Sequence, residues 1–182
     1  MNRVILSPPV LPPMALAELK QWLGITSTRD DAPLAALLAV ALETCEAFTA
    51  RMPLLASCEE IVPAQAGWHA LSARPVQAIT GVESVAADGT RAALAPASYE
   101  IDLDADGTGR VRVPVPGAAR KIAVHFTAGI ADAWEDLPDG LRHGLVRLAA
   151  HQHRERDGSG AAPLPPASVA ALWRPWRRMR LT

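Results

Sequence analysis

The sequence predicts an α+β fold, a small helical bundle into which an antiparallel β-lobe is inserted. Three observations predict it. Apolar residues recur every three or four positions over residues 14–23, 33–52 and 138–156, the period of one face of a helix. Between residues 58 and 130 the period falls to two and turn residues separate the segments. Apolar residues make up 49% of 182, with a mean hydropathy of +0.10. A chain of that size buries about 70% of its unfolded surface, so a single sizeable core is within reach.

The stretch from Pro33 to Met52 organises the helical part. Leu34, Leu37, Leu38, Ala41, Leu42, Cys45, Phe48 and Met52 form its apolar face. Asp30 and Asp31 are candidate caps, Pro33 suits a first helical turn where its missing N–H costs nothing, and Pro53 stops the helix. The opposite face carries Ala35, Ala36, Ala39, Ala47 and Ala50 with Glu43, Glu46 and Arg51. Small residues let a second helix approach, so burial on more than one side is expected. Leu34, Leu38, Ala39, Leu42, Glu43 and Glu46 are the candidate residues for packing between helices or between copies of the chain.

Ahead of this helix, four prolines in residues 1–13 predict an extended lead-in, followed by a helix from Met14 to Leu23 with Gly24 as its C-terminal cap. In the lobe, strands are expected at Glu59–Pro63, Trp68–Ser72, Val76–Ala87 (broken at Gly81), Arg91–Leu94, Tyr99–Leu103, Arg110–Val115 and Lys121–Thr127. Asp88-Gly89 and Asp106-Gly107 supply turns. Val111, Val113 and Val115 face inward on one strand, and Ile122, Val124 and Phe126 on another. Leu141, Leu145, Leu148 and Gln152 share one face of the helix that follows. A Gly- and Pro-rich break at 157–166 then precedes a short C-terminal helix. The resulting division is a helical body of residues 1–57 and 131–157, a β-lobe of 58–130, and a linker with a basic, aromatic arm at 158–182.

Charge is polarised although the net value is −1. Residues 140–182 hold eight Arg against two acids, and the remainder holds ten basic and 17 acidic residues. A basic end on an acidic body suits head-to-tail association with copies of the chain, or an acidic partner at the C-terminal end. The end itself, LWRPWRRMRL, combines Trp173 and Trp176 with Arg174, Arg177, Arg178 and Arg180, residue types enriched where surfaces meet. Docking on a partner protein, packing back on the body, and contact with nucleic acid through phosphates and stacked bases all fit this composition.

Catalytic patterns are missing from the sequence. There is no nucleophile elbow, no S-x-x-K and no glycine-rich phosphate loop. Asp102-Leu-Asp-Ala-Asp-Gly107 opens like a calcium loop, but Val113 stands where a bidentate Glu is needed and the flanks read as strands. His151 and His153 lie two apart on a helix and point to different sides. Cys45 and Cys58 are isolated, Cys45 on an apolar helix face. The chain reads as a non-enzyme with no cofactor and no metal. The N-terminus has too short an apolar run for a signal peptide, and no charge-free apolar run of 18 residues occurs, so a protein made in the cytoplasm and kept off membranes is expected.

Five stretches, in this order, resemble the phage head–tail connector (adaptor) proteins of long-tailed phages, prophages and gene transfer agents. They are LAELKQWLGITSTRDD (16–31), ETCEAFTARM (43–52), SARPVQAITGVESVAADGT (72–90), KIAVHFTAGIADAWEDLPDGLRHGLVRLAAHQHRER (121–156) and LWRPWRRMRL (172–181). The Asp-rich turn and the doubled Trp are not part of the resemblance. The resemblance implies a structural subunit in the neck of a virion, made in the bacterial cytoplasm. It implies a dodecameric ring beneath the portal that extends the DNA channel used in packaging and ejection. The implied partners are the portal protein, the next neck or tail protein (a stopper or tail terminator), and double-stranded DNA held without sequence preference. The composition of the tail, and not the family, adds the expectation that Trp173, Arg174, Trp176, Arg177, Arg178 and Arg180 dock on the portal. The alternative is a non-catalytic nucleic-acid-binding module that uses the same tail.

Overall fold

The computed structural model describes residues 3–117, 119–155 and 165–177. Its order is β1 (Arg3–Ser7), α1 (Pro13–Leu23), α2 (Asp31–Thr49), β2 (Ala56–Pro63), β3 (His69–Ala70), β4 (Val76–Val85), β5 (Arg91–Ala93), β6 (Glu100–Leu103), β7 (Gly109–Arg112), β8 (Lys121–Ala128), α3 (Asp139–Glu155) and α4 (Ala167–Trp173). Short 3-10 turns sit at Pro96–Ser98 and Arg174–Trp176. This is the expected α+β class. The chain forms two compact units. One takes Leu55–Ile130 together with β1, and the other takes Val10–Leu54 and the residues from Ala131 onward.

The β unit holds a five-stranded sheet in the order β1-β2-β8-β4-β5 and a three-stranded sheet in the order β3-β7-β6, and every strand pair is antiparallel. β8 lies at the centre of the larger sheet. Its alternation puts Ile122, Val124 and Phe126 in the core with Val62 and Val82. The break expected at Gly81 is a bulge inside a continuous ten-residue strand, with a second irregularity between Val76 and Ala78. The smaller sheet sits close on β4. A Cβ on Gly109 would lie 2.9 Å from Val76, so only glycine fits there. Val111 and Val113 are buried as expected, but Val115 is 83% exposed. β7 ends at Arg112 and Pro114 cannot donate to a ladder, so the alternation stops before residue 115.

Residues 3–7, expected as part of an extended lead-in, form the edge strand β1, with Val4 opposite Glu59 and Ile5 opposite Cys58. The alternation signal is absent because all three central residues are aliphatic and exposed.

In the helical unit α1, α2 and α3 pack pairwise on one another, and α4 packs on α3 and α2. Leu19, Leu34, Leu38, Leu141, Leu145 and Leu148 are fully buried. Gly24 caps α1 in the left-handed region (φ 72°), its N–H bonded to Gln21 O, while Ile25 N bonds to Lys20 O. Two expectations for α2 change. Neither Asp30 nor Asp31 caps it with a side chain; Asp31 instead receives Lys20 Nζ at 2.6 Å. The helix ends at Thr49, before Pro53, because Ala50 turns left-handed (φ 57°) and its N–H closes on Glu46 O.

Candidate assembly surfaces

Four regions hold the residues singled out above. The first is α2. Leu34, Leu38 and Leu42 point into the helical unit and are consumed by packing there, whereas Ala39 and Glu43 are exposed and Glu46 is half-buried. Ala32, Ala36, Val40 (43% exposed) and Ala47 continue the exposed strip. The helix is therefore apolar on both sides but buried on one. By length and composition it could cross a membrane, as the core helix of a water-soluble protein also could.

The second region is the groove between α1 and α3. It encloses about 600 Å³, and Trp22, 44% exposed, stands in its wall with its ring edge-on to His143 at 5.2 Å. Arg142 on the α3 side is steadied by Asp139 Oδ1 at 3.0 Å and by Glu135 O. A smaller hollow of about 150 Å³ lies on the other side of Trp22, where Arg147, His151 and Arg154 follow one another along α3. His151 sits 2.9 Å from Glu155, one turn on, and shares no site with His153. Trp22 escaped the sequence reading because it follows Leu19 and precedes Leu23, so it passes for part of an apolar face.

The third region is the C-terminal segment. Trp173 is fully buried, its Nε1 donating to Leu141 O at 3.3 Å and its ring 6.1 Å from Phe48. A Cβ on Gly144 would fall on the indole, so Gly144 is the floor of the Trp173 socket. Trp173 as an exposed docking anchor or base-stacking residue is therefore corrected: folding uses the whole side chain. Arg174 and Arg177 are exposed and Trp176 is half-buried in the 3-10 turn that follows, with Arg177 stacked over Phe48 at 5.3 Å. Arg178 and Arg180 lie outside the described residues, as does most of the expected linker. The signal that could have found the socket is Gly140-x-x-x-Gly144 on a helix followed by a Trp-bearing tail.

The fourth region is one face of the larger β-sheet. Glu59, His125, Glu83 and Arg91 come from β2, β8, β4 and β5, four neighbouring strands. Arg91 grips Glu59 with both guanidinium nitrogens, at 2.6 and 3.0 Å, and reaches Glu83 at 3.6 Å. His125 Nε2 lies 3.7 Å from Glu59 and 3.4 Å from Glu83. The Arg91 hydrogen bond, the Arg91 charge and the nearby His125 hold the Glu59 carboxyl below its usual range, against its burial. Next to Glu59, Glu60 Oε2 accepts from Ser72 N and Oγ at 2.9 and 2.7 Å, which explains a second buried acid.

The Asp-rich turn is structural. Asp102 and Asp104 both pair with Arg110, at 3.4 and 2.5 Å, and Asp106 Oδ1 accepts from Thr108 N. Arg112 pairs with Glu100 at 2.6 Å and stacks on Trp68. No group of three or more His, Cys, Asp or Glu among the described residues could hold a metal ion. Cys45 and Cys58 are buried free thiols, and burial pushes the Cys45 thiol up to about 12.

Solved structures with the same fold include chains from gene transfer agent particles. A chain in the neck of an empty gene transfer agent particle, computed with C6 symmetry, superposes with a TM-score of 0.77 at 25% identity over 100% of this chain and 98% of its own. This is the fold of a particle-neck chain. A chain in the virion of a native gene transfer agent particle matches with a TM-score of 0.75 at 26% identity, covering 100% and 98% of the two chains. A third, from the native neck computed with C12 symmetry, matches at 0.74 and 26% over 98% and 97%. No protein-family model matches the chain, and no curated protein matches it. The end-to-end matches bear out the resemblance to the head–tail connector class drawn from the order of sequence features.

Proposed function

We propose that this chain is a subunit of the neck of a phage-like particle, forming the ring beneath the portal that joins the head to the tail components and extends the DNA channel. The observation that carries the reading is the full-length likeness to neck chains taken from assemblies of six- and twelve-fold symmetry. The molecule agrees in kind. Its Asp-rich turn, buried acids and buried thiols are spent on structure, while an apolar helix face and a Trp- and Arg-lined groove stay open. These are features of a part that associates, not of one that carries out chemistry.

Within the reading, the chain forms a dodecamer, touches the portal on one side and the next neck or tail protein on the other, and lets double-stranded DNA slide past without sequence preference. Arg174, Trp176 and Arg177 are the described tail residues left to meet an acidic portal surface, with Arg178 and Arg180 beyond them. Truncation ahead of α4 would remove Trp173 and confuse folding with docking. The sharper variant is Arg174→Ala/Arg177→Ala, which leaves the socket filled.

Deletion of the gene in a producing cell should give filled or empty heads without attached tails, restored by the unaltered gene. Normally tailed particles from the deletion strain would overturn the reading. Portal-bearing heads should bind the unaltered chain and bind the double variant less well; equal binding would remove the tail contact alone.

A further inference from the structure

The helical unit has two surfaces that match each other and cannot meet within one chain. A three-helix packing has three outer grooves. Here α4, with Trp173, lies on α3 and α2, and the groove between α1 and α3 stays open. The exposed face of α2 lies on the far side of the bundle from that groove, because α2 packs on both helices that line it. The α2 face is low and acidic: Ala36, Ala39, Val40, Glu43 and Ala47. The groove carries a projecting Trp22, with Glu18 and the Arg142–Asp139 pair on one side and Arg147, in the smaller hollow that Ser168 and Val169 also line, on the other. Among the described residues Arg147 has no ion-pair partner, and neither has Glu43.

We propose that the exposed face of α2 in one copy docks into the α1–α3 groove of the next copy, with Trp22 on the Ala36–Ala39–Val40 strip and Glu43 facing Arg147. The occupant of the groove is a second copy of this chain. Three arguments select it. Glu43 and Arg147 are opposite charges without ion-pair partners of their own among the described residues, the relief is complementary (a large aromatic against alanines), and the surfaces lie on opposite sides of one unit. A contact between two different surfaces repeats head to tail and closes into a ring when the rotation closes. A large aromatic flanked by arginines is also the usual composition of an energetic centre in an interface. The inference rests on the ring reading above and adds which surfaces make the ring.

Cross-linking tests it on the full chain, alone and on particle heads that lack it. Copies carrying Glu43→Cys are mixed with copies carrying Arg147→Cys and treated with a short bis-maleimide. Cys45 and Cys58, both buried, stay silent. A 43–147 product should form in the mixture and neither variant should cross-link to itself. Products joining 43 to 43 or 147 to 147, or assembled rings with no 43–147 product, overturn the contact and leave the connector reading standing. Trp22→Ala should raise the concentration needed for assembly by roughly tenfold or more, at temperatures where the monomer stays folded despite the lost contact with His143. Glu43→Arg and Arg147→Glu should each weaken assembly, and the two together should restore it, since each contact then regains an opposite pair. Single reversals that assemble as well as the unaltered chain overturn the proposal. An unaltered chain that stays monomeric and is not taken up by heads overturns the proposal and the connector reading together.

Discussion

The two ends of the chain are tied down by opposite means. β1 is held by its backbone, through its ladder with β2, while Val4, Ile5 and Leu6 stay 55%, 39% and 52% exposed. α4 is held by side chains: Trp173 is fully buried over Gly144, and its indole N–H reaches the carbonyl of Leu141. A backbone-held segment tolerates almost any side chain that keeps the strand. A socket-held segment tolerates almost none. Apolar side chains left exposed on the backbone-held end are also the ones free to be covered by another molecule.

The largest expected effect is at the socket. Trp173→Ala should cost about 3–5 kcal/mol, the range for removing a large buried aromatic, read as a lower denaturation midpoint. Loss of less than about 1 kcal/mol would mean that α4 is held elsewhere. Next is the socket floor. In an ordinary helical site, Gly→Ala gains up to about 1 kcal/mol. At Gly144 the added methyl falls on the Trp173 indole, so Gly144→Ala should instead destabilise by about 1–3 kcal/mol. Gly140→Ala, whose methyl would make ordinary contacts with Leu172 O at 3.5 Å and Trp176 Nε1 at 3.9 Å, should be neutral or stabilising and serves as the control.

A pH effect comes third. Arg91 holds the Glu59 carboxyl below its ordinary value, so the pair stabilises the folded chain above that value. The contribution is lost as pH falls through the lowered folded value. Arg91→Ala should lower the thermal midpoint at neutral pH and flatten its decline on acidification. A variant whose midpoint tracks the unaltered chain at every pH would remove the pair from the stability of the sheet. The smallest effect is at the other end: Val4→Thr/Ile5→Thr/Leu6→Thr should shift stability by no more than about 0.5 kcal/mol per site, since these side chains are about half in water and the strand is held by its ladder. A large loss there would erase the contrast between the two ends.

Much of the architecture was legible in the residues. The three long helices and most strands of the lobe follow from period, and Gly24 as a cap follows from its place after Leu23. The inward valines were legible up to Val113 and failed at Val115, where a proline ended the ladder. The assembly surfaces were half legible. Leu34, Leu38 and Leu42 were grouped with Ala39 and Glu43, and the structure separates them, three to the core and two to the surface. Nothing in α2 alone says which of its two apolar sides its own chain takes.

What the sequence determined by itself is the local order: where the period is 3.6, where it is two, where turns interrupt, and that no catalytic pattern is present. Those properties depend on neighbours a few residues apart. Tertiary structure alone decided that residues 3–7 complete a sheet whose next strand starts at Ala56, and that Trp173 fits over a glycine 29 positions earlier on α3. It also decided that Glu59 meets Arg91 across strands that are far apart in the chain. Each of those contacts is fixed by which surfaces remain uncovered once the helices and strands have packed, and no short window of sequence carries that information.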